Sequence, residues 1–578
     1  MKKKLKLISV FLLMLIVVSA CSSGGDPIGD AALNDQGDST NVIVSTEGEG
    51  NVTTDELEDN QTKLMAAADS GYYFSHWKGD LSSTNNPEYI DNTSPREVTA
   101  VFLEEENSST DTTDENGVFK LINSWGESWG AFNDGSHYIS YQAAVENNLD
   151  LYLIDPLDNY QPRALAVFKL DADSREKVEI IFESESGSKK LYPTDAPYDY
   201  DGSMNYISVN QKGGSSDFPD NNLSLDITGL LPINDEITLT INNTGGSDIY
   251  LNNWQIEEYS SYPGSPDETH DSNLNSEIVE ANSSRSFTMQ LSLESSASAQ
   301  ALSSSGLASF TRDYTEADWR SREKEIRSQS SKNHAENNFG RGLKQLSAEQ
   351  MKTALEEGII KPLDTAALSE DGLKVGGEAS LDHSDSMYFP PVGNQSTEGS
   401  CASWSTVYYM LGFYQARDKG WDLSASSVSG VDQSQLMSPD FIYQLINDGQ
   451  DAGSYYTDNL MMLANVGAAS WAEMEPDAGE YLSWGNEAAW KTAAAHRVDY
   501  PIYYIQINNY TDIKAVKDLL DQGYLISTAI DSTQYSSSSG LWTVDNYSIQ
   551  SINDLDHANT VVGYDDAYQS RVEEISIR

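Results

Sequence analysis

Cys401 is a cysteine whose type and position could support nucleophilic chemistry. The chain has two cysteines, and the other, Cys21, follows an apolar N-terminal segment that indicates export. In an exported protein, a thiol with no partner for an internal disulfide is a candidate nucleophile. Apolar residues follow at helical spacing, at Trp404, Val407 and Leu411, so Cys401 is predicted at a helix N-terminus. The free N–H groups and the helix dipole there are expected to lower the pKa of its thiol.

A cysteine nucleophile needs a general base, and His557 has the most suggestive setting of the seven histidines. It lies in D-L-D-H-A-N-T-V-V-G-Y-D-D, where Thr560 to Tyr564 has the pattern of a buried strand. This pattern predicts His557 at the start of a strand that faces a cleft. A lone histidine is more often structural than catalytic, but this one shares the chain with the cysteine motif.

A third string, N-S-W-G-E-S-W-G, begins at Asn123. The three strings together resemble the motifs of papain-like cysteine peptidases. In that family a glutamine stands six residues before the nucleophile, as Gln395 precedes Cys401, and the base opens an H-A-x-x-x-V-G-Y motif, as His557 does. The asparagine motif N-S-W-G-x-x-W-G is matched over all eight positions.

The resemblance implies a role for each of these residues. Cys401 would be the nucleophile, and His557 the general base and later the general acid. Asn123 would orient the imidazolium, and Trp125 would shield that hydrogen bond. Gln395 and the Cys401 backbone N–H would form the oxyanion hole, so that peptide bonds are hydrolysed through a thioester acyl-enzyme.

The same resemblance implies a two-lobed α+β fold. Its helical lobe would carry Cys401, its β-rich lobe would carry His557 and Asn123, and the substrate would lie between them. Gly453 and Ser454 are expected to line the substrate-binding edge. No cofactor is implied, and no histidine pair or cysteine cluster in the sequence has metal-ligand spacing.

The order of the motifs departs from the family pattern. The family asparagine follows its histidine closely, whereas Asn123 precedes His557 by 434 residues. This order predicts a circular permutation; compared with a ~20-residue loop, closing so long a loop costs only about 3 kcal/mol more. The alternative is a rearranged chain whose displaced hairpin cannot dock. Two residues also differ from the family motif: Glu398 stands where the family has a cysteine, and Ala402 stands where it has a tryptophan.

The N-terminus predicts the compartment. A basic start, M-K-K-K-L-K, precedes the apolar run Leu7 to Val18, and V-S-A-C then ends at Cys21. The pattern resembles a bacterial lipobox, which implies a signal peptide over 1–20, lipidation of Cys21 and a tether over 21–40. We therefore expect an exported protein that is lipid-anchored to a bacterial membrane and faces the cell surface or periplasm. An ordinary cleaved signal with an incidental cysteine stays open as the alternative.

The rest of the chain predicts a multidomain protein with all-β modules beside the peptidase domain. The string G-Y-x-F-x-x-W-x-G-D from Gly71 resembles the divergent internalin-B-type repeat and predicts a β module over 41–103. Alternating apolar runs predict a β-sandwich over 155–295. Residues 310–384 have helical character, with a capping box expected at Ser347, and are either an inhibitory propeptide or a plain connector. The remaining predicted segments are an acidic linker over 104–115, a displaced hairpin with the asparagine motif over 116–150, a linker over 296–309 and the peptidase core over 385–578.

Composition limits the partners of this chain. The 35 basic and 90 acidic residues give a net charge of -55, which argues against nucleic-acid binding because phosphates would be repelled. We expect a surface-anchored cysteine endopeptidase whose partners are protein or peptide substrates and, through its lipid, a membrane. Two alternatives stay open: an inactive surface adhesion or binding lipoprotein, and amide-bond transfer by the same residues. The oligomeric state is not predicted.

Overall fold

The computed structural model describes residues 42–48, 50–56, 61–68, 72–81, 88–104, 117–194, 206–210, 217–293, 306–312, 340–371, 379–447, 449, 451–535 and 540–568. The chain divides into two compact units, residues 1–107 and 108–578. The predicted signal peptide, the tether with Cys21 and nearly all of the acidic linker lie outside the described residues. None of the helices within those ranges has the length and apolar character needed to cross a bilayer.

The first unit is a small all-β module. Its strands are β1 Val42–Glu47, β2 Gly50–Glu56, β3 Gln61–Ala68, β4 Tyr72–Gly79, β5 Glu88–Asp91 and β6 Arg96–Glu104. They form two three-stranded sheets, with the orders β1-β6-β4 and β2-β3-β5. Trp77 is fully buried and packs with Leu64, Ile90 and Val98 in the shared core. The alternating apolar residues of the sequence therefore meet between the two sheets.

The second unit contains the remaining strands and all of the described helices. Its strands are β7 Val118–Ile122, β8 Ser136–Ser140, β9 Asp150–Pro156, β10 Ala164–Asp171, β11 Val178–Ser184, β12 Gly187–Thr194, β13 Tyr206–Asn210, β14 Leu223–Asp226, β15 Glu236–Asn243, β16 Ile249–Glu258, β17 Glu268–Asp271, β18 Glu277–Val279, β19 Ser283–Gln290, β20 Leu343–Lys344, β21 Ile360–Pro362, β22 Ser380–Asp382, β23 Ser454–Tyr455, β24 Val498–Gln506, β25 Ile526–Ile530, β26 Leu541–Trp542 and β27 His557–Asp565. Its helices are α1 Tyr141–Glu146, α2 Ala348–Glu356, α3 Thr365–Asp371, α4 Cys401–Ser403, α5 Gly412–Lys419, α6 Pro439–Ile446, α7 Tyr456–Asn465, α8 Glu487–Ala494 and α9 Tyr510–Asp521, and a π-helical stretch over Trp404–Leu411 joins α4 to α5.

Two five-stranded sheets pack against each other in the middle of the chain. One has the order β14-β10-β16-β17 with β18 also paired to β16, and the other has the order β13-β12-β11-β15-β19. Ile237, Leu239 and Ile241 of β15 are fully buried, which confirms the alternation expected for that strand. Phe182 of β11 contacts Trp254 of β16 across the interior, with ring centroids 6.4 Å apart.

A nine-stranded sheet positions the candidate site. Its order is β21-β24-β9-β25-β27-β7-β8-β26, and β22 also pairs with β27. The central strand β27 is buried over eight of its nine residues, which explains why A-N-T-V-V-G-Y is nearly continuous in small and apolar residues. On one face of the sheet, Leu121 and Ile526 pack with Val516 of α9.

Two segments are more integrated than the sequence suggested. The segment with the asparagine motif is longer than the predicted hairpin over 116–150, because β9 continues it to Pro156 and also pairs into the nine-stranded sheet. The connector over 310–384 contributes β21 to the same sheet. The capping box at the start of α2 is confirmed, since the Ser347 and Gln350 side chains each accept a hydrogen bond from the other residue's backbone N–H. The described parts of this connector, residues 310–312, 340–371 and 379–384, are therefore folded into the second unit.

Candidate active site

Cys401 is the first residue of a buried helix that runs from α4 through the π-helical stretch to α5. Its side chain is fully buried. Ser405 holds this helix against the sheet, because its Oγ lies 2.9 Å from Ser527 Oγ in β25 and 2.8 Å from Thr560 Oγ1 in β27. Since β27 begins at His557, these contacts bring the first turn of the helix to the beginning of that strand.

His557 and Asn123 are in contact although they are 434 residues apart. Strand β7 ends at Ile122 and pairs antiparallel with β27, which carries Asn123 to the histidine. His557 Nε2 lies 2.9 Å from Asn123 Oδ1, and both side chains are fully buried. Trp125 stacks on the imidazole, with ring centroids 4.3 Å apart.

The hydrogen bond to Asn123 decides which imidazole nitrogen can act as a base. An amide oxygen only accepts, so Nε2 of the neutral ring carries the proton and Nδ1 carries the lone pair. Nδ1 has no hydrogen-bond partner within the part of the chain that the structure describes. His557 therefore has an unprotonated ring nitrogen that is available to accept a proton.

Gln395 is held against the asparagine motif by two hydrogen bonds to Ser124. The Gln395 backbone N–H donates to the Ser124 carbonyl at 2.8 Å, and Ser124 Oγ donates to Gln395 Oε1. With Oε1 occupied, the amide nitrogen is free to donate, and it does so to the Glu398 carbonyl at 2.6 Å and the Gly340 carbonyl at 3.2 Å. The arrangement fixes an N–H donor next to the start of the Cys401 helix.

A backbone segment, residues 340–344, occupies the space beside these groups, and we call it the strap. Its Gly342 carbonyl accepts from Ser454 N–H at 2.8 Å, and β20 runs parallel to β23. On its other side, the N–H groups of Gly342 and Leu343 each lie 3.2 Å from the Asp556 carbonyl. The strap is thus bonded to both walls of a cleft, as an added strand would be.

The start of the strap reaches the residues around the imidazole. The Gly340 carbonyl accepts from Trp125 Nε1 at 3.0 Å in addition to Gln395 Nε2. The Leu343 backbone N–H faces the Cys401 sulfur. The strap therefore passes from the tryptophan to Ser454 and covers the thiol on its way.

Glycines make this close approach possible. A Cβ on Gly340 would lie 1.9 Å from the Glu398 carbonyl oxygen, and one on Gly342 would lie 2.0 Å from the Gly399 carbonyl oxygen. On the opposite wall, Gly453 has a φ of +77°, and a Cβ there would lie 2.0 Å from the Gly342 oxygen. These separations are far inside van der Waals contact, so any side chain at these positions would lift the strap off the cleft wall.

The strap also brings a cation into the cleft. Arg341 Nη1 lies 2.9 Å from Asp556 Oδ2, and each side chain is 18% exposed. The other carboxylate oxygen of Asp556 accepts from Ser532 N–H at 3.0 Å. Asp556 is the residue immediately before His557, so this ion pair lies directly beside the candidate base.

Burial keeps the candidate nucleophile and base neutral. Together with a smaller contribution from the charge of Asp556, it raises the pKa of Cys401 from its ordinary 9.0 to about 12, although backbone N–H groups of Ala558, Ala402 and Leu343 oppose this effect. Burial, followed by the charge of Arg341, lowers the pKa of His557 to about 3. The expectation of a lowered pKa for Cys401 is therefore wrong for this closed arrangement, because loss of hydration outweighs the helix N-terminus.

Around His557 the described site residues are only partly joined: its Nε2 is hydrogen-bonded to Asn123, but its Nδ1 makes no hydrogen bond to Cys401. The site residues near the imidazole and thiol are Cys401, His557, Asn123, Gln395 and Trp125, and those on the opposite wall are Gly453 and Ser454. The proposed lipidation site, Cys21, lies outside the described residues.

Sequence reasoning missed Asp556, Ser124 and the strap. The string G-R-G at Gly340 to Gly342 was the available signal, because two glycines around one side chain suit close backbone approach. The signal for Asp556 was weaker, because acidic residues are frequent throughout this chain.

A potential metal-binding group lies elsewhere, on β16 and β17. Glu258 and Glu268 are direct cross-strand partners, and His270 shares their face. Their ligand atoms lie within 4.8 Å of one another, and this is the one such grouping among the described residues. His270 Nε2 is hydrogen-bonded to Glu258 Oε1 at 2.5 Å.

Comparison with known proteins finds a family match for one part of the chain. Residues 40–106 match the family model of the divergent InlB B-repeat domain. A search of curated protein sequences gave no match. Among solved structures, xylellain, a cysteine protease from Xylella fastidiosa, matches with 14% identity and a TM-score of 0.25, over 41% of this chain and 84% of that one.

Proposed function

We propose that this protein is a cysteine endopeptidase that is held inactive by its own strap. The observation that carries the proposal is the contact between His557 and Asn123, which leaves His557 Nδ1 as an unpaired base among the described residues and next to the helix that begins at Cys401. A buried imidazole with a fixed tautomer and a buried thiol at a helix N-terminus suit acyl transfer.

In the proposed reaction, the strap leaves and a peptide carbonyl takes its place. The Cys401 thiol gives its proton to His557 Nδ1, and the sulfur attacks the carbonyl carbon. The oxyanion that forms is bound by Gln395 Nε2 and the Cys401 backbone N–H. The C–N bond then breaks, His557 returns the proton to the leaving amine, and water, deprotonated by His557, hydrolyses the thioester to a carboxylic acid and the free thiol.

The strap accounts for latency in this proposal. It uses the hydrogen-bonding groups of Ser454 and Gln395 that a substrate backbone would need, and it removes Cys401 from solvent. Displacement or cleavage of the strap would rehydrate both reacting groups, returning their pKa values toward the ordinary range and making proton transfer between them easier.

Anchoring through lipid on Cys21 completes the proposal. The B-repeat domain over 40–106 lies directly after the tether in the chain and would act as a surface spacer. The same domain also favours a second candidate function, a surface adhesion protein whose peptidase-like part is inactive.

Hydrolysis of casein and of a fluorogenic peptide mixture tests the proposal. The chain from residue 22 would be assayed before and after limited proteolysis that opens the strap, beside Cys401→Ala and Asn123→Ala. We expect Cys401→Ala to abolish activity. A hydrogen bond to a charged group contributes about 1.5–3 kcal/mol, so Asn123→Ala should lower kcat about 10- to 100-fold.

Asn234→Ala, on an exposed loop, is the matched control and should leave kcat unchanged. Activity that survives Cys401→Ala would refute the proposal. Activity that is indifferent to Asn123→Ala would show that the displaced segment has no role in catalysis. No hydrolysis after strap cleavage would favour the adhesion protein.

A further inference from the structure

Asp556 offers a carboxylate oxygen to the cleft that the proposed reaction does not use. Its Oδ1 accepts from Ser532 N–H, which fixes the side chain, and its Oδ2 faces the strap. The side chain is only 18% exposed, so little water can solvate the charge. A cationic partner stabilises a partly buried carboxylate of this kind.

That partner now comes from the strap. The charged groups that act on Cys401 and His557 are Asp556 and Arg341. Arg341 is held through Nη1, while its Nε and Nη2 are buried with no hydrogen-bond partner in the described ranges. When the strap leaves, the carboxylate remains and its cation is lost. A basic side chain of an incoming peptide would restore the pair.

The walls beside Arg341 restrict the neighbouring residues. Gly340 and Gly342 face the carbonyls of Glu398 and Gly399 so closely that a Cβ on either would overlap with them. A peptide that places a basic side chain at Asp556 in this way must have glycine on both sides of the basic residue, or must direct the neighbouring side chains away from these walls.

We infer that the cleft selects basic peptides, with an arginine next to glycine placed at Asp556, and that Asp556 determines this specificity. The inference rests on the proposed peptidase function and adds its substrate class. The net charge of -55 acts in the same direction, because a strongly acidic protein raises the local concentration of cationic chains.

Two readouts test this inference, one of which does not require hydrolysis. The first is protection of Cys401 from alkylation by the peptide Gly-Arg-Gly-Leu-Lys, compared with the same peptide carrying neutral citrulline in place of arginine. The second is kcat/KM for fluorogenic versions of the two peptides. Wild type, Gly342→Ala and Gly340→Ala would be used, since the two variants should open the strap in different ways.

We expect the arginine peptide to protect Cys401 from alkylation, and to be hydrolysed, at least about 10-fold better than the citrulline peptide. The reason is that a hydrogen bond to a charged group is stronger than one to a neutral group. Asp556→Asn should bring this ratio close to one, and 0.5 M salt should reduce it. The ratio cancels any general effect of Asp556→Asn on the neighbouring His557.

Equal protection by the two peptides in wild type and in both glycine variants would overturn the inference. A preference for the arginine peptide that persists in Asp556→Asn would overturn it as well. Failure of the proposed function looks different: arginine-dependent protection would be present, but neither peptide nor casein would be cleaved. Cleavage of casein with equal use of both peptides would leave the peptidase proposal standing and remove only the specificity.

Discussion

Replacement of Gly342 by alanine should release the strap and make Cys401 reactive. The added Cβ would lie 2.0 Å from the Gly399 carbonyl oxygen and 2.6 Å from Gly399 Cα. These are backbone atoms at the start of a buried helix, so the strap rather than the wall is expected to move. We therefore expect the substitution to act on closure and not on the fold of the core.

The magnitude follows from the hydrogen bonds that move with Gly342. They are the bond from Ser454 N–H to the Gly342 carbonyl and the two from Gly342 and Leu343 N–H to Asp556. At about 1 kcal/mol for each bond, closure loses about 3 kcal/mol. This is about 100-fold in the ratio of closed to open molecules.

Alkylation of Cys401 measures that ratio, because the buried thiol reacts only in the open form. Iodoacetamide labelling would be followed by mass spectrometry at pH 7.5 in the full chain, with an unfolding curve to establish that each variant is folded. Gly246→Ala is the matched control, since no described atom lies within 4 Å of a Cβ at that position.

We expect labelling of Gly342→Ala to be about 100-fold faster than that of wild type, and labelling of Gly246→Ala to be unchanged. A folded Gly342→Ala protein that labels no faster than wild type would refute the view that the strap limits access to Cys401. Equal acceleration in both variants would show a general loosening instead.

Three further predictions concern pH and stability. The pKa of His557 is lowered to about 3 and that of Cys401 is raised to about 12. Closure of the strap should therefore be strongest between about pH 6.5 and 9, and it should weaken as the pH falls below or rises above that window. Hydrogen exchange of the strap amides, corrected for the intrinsic rate, would measure this, and protection that does not depend on pH would contradict it. Burial, followed by the charge of Asp440, raises the pKa of Glu398 to about 9, so its contribution to stability is present below pH 4.5 and is lost as the pH rises towards 9. In urea unfolding, the free energy of unfolding of Glu398→Gln relative to that of wild type should therefore be higher at pH 8 than at pH 4.5. An equal difference between the two proteins at both pH values would rule this out. Ser347→Ala removes the capping box of α2 and should lower the free energy of unfolding by about 1 kcal/mol, which urea unfolding at pH 7 would detect or exclude.

Local patterns in the sequence predicted the elements that carry the site. The apolar spacing after Cys401 indicated a helix that begins there, and the run after His557 indicated a buried strand that begins there, as observed. The capping box of Ser347 was predicted for the same reason. Each of these features depends on interactions within a few residues, so their signal is present in a short string.

The pKa of the thiol could not be predicted in this way. A helix N-terminus is a local property and suggested a lowered pKa for Cys401. The strap, whose Leu343 N–H faces the sulfur, lies about 60 residues earlier in the chain, and burial of the thiol outweighs the local effect. The pair of Arg341 and Asp556 was equally hidden, because nothing in either local string indicates the other residue.

By itself, the sequence determined which residues are capable of the chemistry: one thiol beside a helix start, one histidine at a strand start, and an asparagine motif that could serve it. It also determined the acidic charge and the β-rich modules, because composition and short-range periodicity are sufficient for both. Only the tertiary structure decided that Asn123 reaches His557 across 434 residues and that residues 340–344 occupy the cleft. These features depend on strand pairing and on backbone contacts between distant segments, and such contacts follow from the packing of the whole unit, which no local pattern contains.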